Sequence, residues 1–93
     1  MSAPLDRDRV VGIDVSEAAL DVAIGDRPPF RLPNSPAGIE ELLARLRSHR
    51  VDLVVLEAIG GLEAPCATAL AAAGLPVAVV NPRRVRDYAK AAG

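Results

Sequence analysis

Short runs of apolar residues, separated by turn-forming residues, dominate the first third of the chain. Their spacing predicts strands at Val10–Val15, Leu20–Ile24 and Phe30–Leu32. Residues 16–19 suit a tight hairpin, and residues 25–29 have the glycine and proline content of a turn. Three consecutive strands with such short connections predict an antiparallel meander. The nearly unbroken apolar character of the first strand predicts burial on both of its faces.

The rest of the chain alternates between helical and strand patterns. Ser35 and Pro36 provide a cap residue followed by proline at the first helical position, and apolar residues then recur at helical spacing. A helix is therefore predicted from Pro36 to about His49. The elements predicted after it are a strand at 51–56, a helix at 62–73, a strand at 76–80 and a last helix that opens at Asn81 and Pro82.

This succession has the order β-β-β-α-β-α-β-α, which is typical of α/β proteins with a ribonuclease-H-like fold. The first and fourth strands of that fold are adjacent and parallel. We therefore predict one domain over residues 10–93, preceded by a disordered charged leader at residues 1–9.

Composition narrows the class of protein. Ninety-three residues with 51% hydrophobic content describe one globular domain. A net charge of -1 and a pI near 5.7 lack the positive field of an autonomous nucleic-acid-binding domain, so any basic surface must be local. The single cysteine, Cys66, excludes an internal disulfide and favours a reducing compartment, which predicts the cytoplasm. No run approaches 18 apolar residues, so no membrane association is expected.

Two acidic residues, Asp14 and Glu57, interrupt or end apolar strands, where a solvated side chain has no evident structural use. The predicted strand order makes them neighbours. Two carboxylates about 4 Å apart repel by roughly 4 kcal/mol at an effective dielectric constant near 20, so folding alone would not favour the arrangement. A divalent cation reverses the sign of this interaction, and Mg²⁺ or Mn²⁺ retains waters that serve phosphoryl transfer. The pair therefore predicts a metal-binding nuclease site.

A purely structural interpretation of the pair stays open. Asp14 would cap the next turn, and Glu57 would accept hydrogen bonds from the amides of Gly60 and Gly61. The two glycines could also hold a phosphate at a helix N-terminus, although a turn that needs positive φ is the favoured interpretation. Asp21 stays unassigned, because a shift of one residue in strand register would move it to the other face.

The end of the chain carries a local cluster of positive charge, which predicts contact with nucleic acid; a solvated helix face is the alternative. The residues concerned are Arg83, Arg84, Arg86 and Lys90.

The chain closely resembles the N-terminus of DEDD transposases related to the Piv invertase, the insertion sequence 110 family. Four segments carry the resemblance: VVGIDVSEAALDVAI, LPNSPAGIEELLARL, VVLEAIGGLEAPCATALAAAGLPVAVVNP and RRVRDYAKAAG. The resemblance implies a RuvC-like domain whose four acids, Asp-Glu-Asp-Asp, bind Mg²⁺ and help to cut and join DNA. Asp14 matches the first acid and Glu57 the second. Glu17 and Ile59 stand where lysine and threonine are common in the family, which bears on local substrate contacts and not on the fold.

The remaining two aspartates of the family lie beyond the segment that resembles RDYAKAAG. The resemblance therefore implies a domain truncated at its C-terminus: the N-terminal portion of a transposase or recombinase catalytic domain, inactive as an isolated chain. Full-length members also have a C-terminal domain with a serine implicated as nucleophile, and some are guided by a structured RNA. A homo-oligomer is expected for the full-length protein.

Two other functions compete with this one, so the sequence leaves open whether the chain is an enzyme. An actin-like or sugar-kinase-like phosphotransferase fragment also begins with GID on a first strand followed by a hairpin. That class needs a second phosphate loop and an adenosine loop, which do not fit in 93 residues. The other alternative is a truncated, non-enzymatic remnant that acts by interacting with an intact transposase.

Overall fold

The computed structural model describes residues 9–81, which form five strands and two helices around one sheet. The elements are β1 (Val10–Val15), β2 (Ala19–Ile24), β3 (Phe30–Pro33), α1 (Pro36–Leu46), β4 (Leu53–Glu57), α2 (Ala64–Ala72) and β5 (Val77–Val80). The leader up to residue 8 and the predicted last helix from Pro82 lie outside the described residues.

The sheet has the strand order β3-β2-β1-β4-β5. The first three strands pair antiparallel, as the predicted meander requires. β4 then pairs parallel with β1, and β5 pairs parallel with β4. The predicted adjacency of the first and fourth strands is therefore confirmed, and the chain passes through α1 and α2 to make the two parallel connections.

The hydrophobic core lies on one face of the sheet. Alternate residues of the central strands, including Val11, Ile13 and Leu56, are almost completely buried. They form one cluster with the buried residues of both helices, which places α1 and α2 on the same side. Cys66 of α2 belongs to this cluster and is 0% exposed.

The prediction that β1 is buried on both faces is wrong. Its burial alternates: Val11, Ile13 and Val15 are buried, whereas Gly12 is half-buried and Asp14 is exposed. The reason is that both described helices cover the same side of the sheet, so the opposite side, here called the open face, is not covered by residues 9–81. Asp14 and Glu57 are accordingly exposed carboxylates and not buried ones.

The first helix begins as its sequence predicts and ends earlier than predicted. Ser35 is its N-cap and accepts a hydrogen bond of 3.2 Å from the amide of Gly38, and Pro36 is the first helical residue. The helix ends at Leu46, where the Ser48 hydroxyl donates to the carbonyl of Arg45 at 2.9 Å and the amide of His49 donates to the carbonyl of Leu46 at 3.0 Å.

The bounds of the later elements also shift slightly. β4 begins at Leu53, and just before it the amide of Asp52 donates to the carbonyl of Arg9 at 2.8 Å. Gly74 follows α2 with a φ of 85°, as expected of a residue that ends a helix. No helix among residues 9–81 is long and apolar enough to cross a membrane.

Candidate active site

The two acids that the sequence singled out lie on adjacent parallel strands. The ladder between β1 and β4 runs from Val10 opposite Leu53 to Ile13 opposite Leu56. Asp14 and Glu57 are the next residue of each strand, so they stand side by side where this ladder ends. Both side chains line one cavity of about 400 Å³ on the open face.

A third acid shares this cavity. Asp21 of β2 stands directly opposite Asp14 in the antiparallel register. Its carboxylate binds Arg31 of β3, with Nε to Oδ1 at 2.7 Å and Nη2 to Oδ2 at 3.3 Å. The hydrogen bond and the charge of Asp21 raise the pKa of the Arg31 guanidinium. Asp14 and Glu57 therefore share the open face with an acid whose charge is already compensated.

The face of the sheet that Asp21 occupies was not predicted from the sequence, although the hairpin before it carries a signal for the strand register. The hairpin between β1 and β2 is closed by hydrogen bonds from the amide of Ser16 to the carbonyl of Ala19 at 2.9 Å and from the amide of Ala19 to the Ser16 hydroxyl at 3.1 Å. This closure fixes the register that places Asp21 opposite Asp14. The turn chemistry of Ser16 thus decides which face Asp21 occupies.

Neither Asp14 nor Glu57 has the structural role that the alternative interpretation gave it. The hydroxyl of Ser16, and not Asp14, binds the turn after β1. The carboxylate of Glu63 accepts from the amide of Ile59 at 2.7 Å and from that of Gly61 at 3.2 Å. Within residues 9–81, the carboxylates of Asp14 and Glu57 have no hydrogen-bond or ion-pair partner.

The two glycines after β4 form the turn that the sequence favoured. Gly60 and Gly61 have φ values of 56° and 92°, a backbone region that other residues rarely adopt. Because the Glu63 carboxylate already binds the amide of Gly61, a phosphate at that position would meet a negative charge. The phosphate-binding interpretation of this turn is therefore disfavoured.

The donor chemistry of the pair fits a hard divalent cation. Mg²⁺ takes oxygen ligands, tolerates one or two protein carboxylates and keeps several waters. Asp14 and Glu57 supply two carboxylates that no other described group uses. A group of three or more His, Cys, Asp or Glu side chains placed to hold a metal is not found among residues 9–81. These residues therefore fit part of a metal site and not a complete one.

The predicted nucleic-acid contacts Arg83, Arg84, Arg86 and Lys90 lie outside the described residues.

Comparison with known proteins identifies both a family and a fold. Residues 11–92 match the family model of the DEDD transposases of insertion sequence 110, which is described as a transposase. The structure is similar to that of RuvC from Thermus thermophilus, with a TM-score of 0.53 and 21% sequence identity. The match covers 78% of this chain and 61% of that RuvC chain. At this identity the likeness concerns the fold, and it confirms the predicted ribonuclease-H-like, RuvC-like architecture. Among curated proteins, none matches this chain.

Proposed function

We propose that this chain forms the N-terminal part of a catalytic domain for DNA strand cleavage and transfer, because it belongs to the DEDD transposase family of insertion sequence 110. In this proposal Asp14 and Glu57 are the first two of four acids that bind Mg²⁺ or Mn²⁺. The remaining two acids and the nucleophile are not assigned to residues of this chain. The isolated chain is therefore expected to bind metal weakly and not to cut DNA.

One observation carries the proposal: Asp14 and Glu57 have no partner among the described residues. The backbone amides of the neighbouring turns donate hydrogen bonds to Ser16 and Glu63, and Asp21 is paired with Arg31. Two like charges on adjacent strands, each left without a compensating group, do not stabilise a fold. They do provide the anionic oxygens that a divalent cation needs.

In the proposed role, these residues contribute to phosphoryl transfer by holding a divalent cation. A bound divalent cation would polarise a phosphate oxygen and supply an activated water or hydroxyl. Asp14 and Glu57 would hold the cation at the end of the β1–β4 ladder, on the face of the sheet that residues 9–81 leave uncovered. The salt bridge of Asp21 with Arg31 keeps the net negative charge of the face lower than three free carboxylates would make it. A lower charge reduces repulsion of the DNA backbone.

The proposal extends to the partners. DNA is the expected substrate, with Arg83, Arg84, Arg86 and Lys90 as candidate phosphate contacts. If three phosphates are neutralised, the slope of log K against log salt is about -2.7, at roughly -0.9 per contact, so binding by the isolated chain is weak at physiological salt. In a full-length protein we propose a homo-oligomer, guided by a structured RNA as in some family members. The cytoplasm is the proposed location.

The direct test is stabilisation of the 93-residue chain by metal. A ligand at ten times its Kd stabilises the native state by about 1.4 kcal/mol. For a domain of this size that corresponds to a rise in Tm of about 6–11 °C. We expect a rise of this order with saturating Mg²⁺ or Mn²⁺, and its loss in Asp14→Asn and in Glu57→Gln.

Glu40→Gln is the matched control, because it removes an exposed carboxylate from α1 without changing the open face. Equal metal-induced rises in the native chain, Asp14→Asn and Glu40→Gln would contradict the site. Metal-dependent cleavage of DNA by the isolated chain, retained in Glu57→Gln, would contradict both the assigned acids and the expected inactivity.

A further inference from the structure

Asp14 and Glu57 lie just past the last paired positions of their two strands. The ladder between β1 and β4 ends at Ile13 and Leu56, one residue before each acid. Each acid is held on its outer side instead: Asp14 pairs with Asp21 of β2, and Glu57 pairs with Val80 of β5. Contacts made beyond the acids can therefore add to the restraint that the ladder places on their spacing.

Among residues 9–81, the Asn34 side chain links the turns that follow the two acids. Nδ2 of Asn34, in the segment between β3 and α1, donates to the carbonyl of Ser16 at 2.9 Å and makes a longer contact of 3.4 Å with the carbonyl of Leu62. Ser16 lies two residues after Asp14, and Leu62 lies in the turn that follows Glu57. Both partners are acceptors, so the amide nitrogen and not the amide oxygen must face them. Asn34 thus joins the chain ends that leave the two acid-bearing strands.

Further hydrogen bonds hold both ends of this link. The backbone amide of Asn34 donates to the carbonyl of Ala18 at 3.0 Å, which fixes it to the hairpin after β1. On the other side, the amide of Leu62 donates to the carbonyl of Ile59 at 2.9 Å, and the Glu63 carboxylate holds the same turn. A change at Asn34 is therefore transmitted to the ends of β1 and β4 and is not absorbed by a loose loop.

We infer that Asn34 is a positioning residue, which sets the separation of the Asp14 and Glu57 carboxylates by tying together the turns that follow their strands. The inference rests on the proposed metal-binding role of the two acids. Asn34 does not bind the metal itself in this scheme. Its two amide hydrogens act on the backbone, and the backbone places the carboxylates.

The chain offers a control that matches the test variant in position. Asn34→Ala removes the link. Ser35→Ala changes the next residue and removes the N-cap of α1. This variant should lower the stability of the chain while it keeps the contacts of Asn34 to Ser16 and Leu62. A third variant, Asn34→Asp, keeps the shape of the side chain but replaces the donor by an acceptor that faces two carbonyl oxygens. Asp at this position also adds a negative charge, which by charge alone would strengthen cation binding.

The first measurement is Mn²⁺ binding to the 93-residue chain, followed by the electron paramagnetic resonance signal of free Mn²⁺. Groups that orient metal ligands typically contribute 10–100-fold to affinity, so we expect a loss of about tenfold in Asn34→Ala and no gain in Asn34→Asp. Ser35→Ala should bind within about twofold of the native chain, because its effect is confined to helix stability.

The second measurement needs no metal. Amide hydrogen exchange of Gly61 and Leu62 should be faster in Asn34→Ala than in Ser35→Ala, since only the first variant releases the turn after β4. Equal Mn²⁺ affinity in Asn34→Ala and Ser35→Ala, equal exchange in the two, or tighter binding by Asn34→Asp would overturn the inference alone. Absence of Mn²⁺ binding by the native chain, or binding unchanged by Asp14→Asn, would overturn the proposed function and this inference with it.

Discussion

Gly38 lies where the first helix closely approaches the end of β3, and its replacement by alanine is a sharp test of this packing. A Cβ atom on Gly38 would lie 1.8 Å from the carbonyl oxygen of Pro33 and 2.8 Å from its carbonyl carbon. The obstacle is backbone and not a flexible side chain. The start of α1 would have to move by about 1 Å before the Cβ reached 3.0 Å, below which real Cβ atoms are essentially never found.

Two effects of opposite sign decide the size of the change. Forcing extra volume into packed structure costs about 1–3 kcal/mol, and the shift would also disturb the buried Ile39 and Leu42. Alanine in a helix is favoured over glycine by about 0.5–1 kcal/mol. With a clash this severe, the packing cost is taken at its upper end. The net loss is then about 2 kcal/mol of unfolding free energy, or a fall in Tm of about 8–16 °C.

The assay is urea and thermal unfolding followed by circular dichroism. Gly12→Ala is the control within the same chain, because a Cβ there would meet nothing within 4 Å and its φ is not positive. It should leave stability unchanged or raise it by up to about 1 kcal/mol, since alanine has less freedom in the unfolded chain. A Gly38→Ala variant as stable as Gly12→Ala would refute the close approach of α1 to β3.

Three further outcomes follow from individual contacts. Burial raises the pKa of the Cys66 thiol to about 11, so a thiol reagent at pH 8 should label the native chain only as fast as it unfolds; equal labelling rates in buffer and in urea would contradict this burial. Glu63→Ala should lower the unfolding free energy by about 1–3 kcal/mol in urea titrations, because two amides lose a charged acceptor, and Glu63→Gln should lose less; equal losses would argue against a role for the charge. Arg31→Gln should enlarge the Mg²⁺-induced rise in Tm by leaving Asp21 uncompensated, whereas Arg31→Lys should not; a smaller rise in Arg31→Gln would contradict the charge argument.

The order of elements could be predicted because local chemistry marks it. The signals concerned are the short apolar strands, the Ser35–Pro36 helix start and the glycine turns. Each depends on a few neighbouring residues, so it can be recognised in the sequence without knowledge of tertiary contacts. The strand order then placed Asp14 beside Glu57. Bounds were less accurate where side chains of neighbouring residues close a turn, as the Ser48 hydroxyl does at the end of α1.

The exposure of the acids could not be predicted in the same way. An apolar run such as Val10–Val15 indicates burial, but it does not say whether helices cover one face of the sheet or both. Similarly, nothing local to Glu63 shows that its carboxylate, and not that of Glu57, reaches the amides after β4. Both facts depend on how separate elements are placed relative to one another, which is a property of the assembled fold.

The two acids lie at the end of the ladder between β1 and β4 and not inside it. Inside the β1–β4 ladder, backbone hydrogen bonds fix the strand separation, and a carboxylate pair there would have to accept that spacing. One residue beyond the last paired positions, each acid is still paired on its outer side, Asp14 with Asp21 and Glu57 with Val80. If Asp14 and Glu57 bind a cation as proposed, the link that Asn34 makes between the turns after β1 and β4 limits how far their spacing can change. Repulsion between the acids is tolerable because both are exposed to water, which screens their charges.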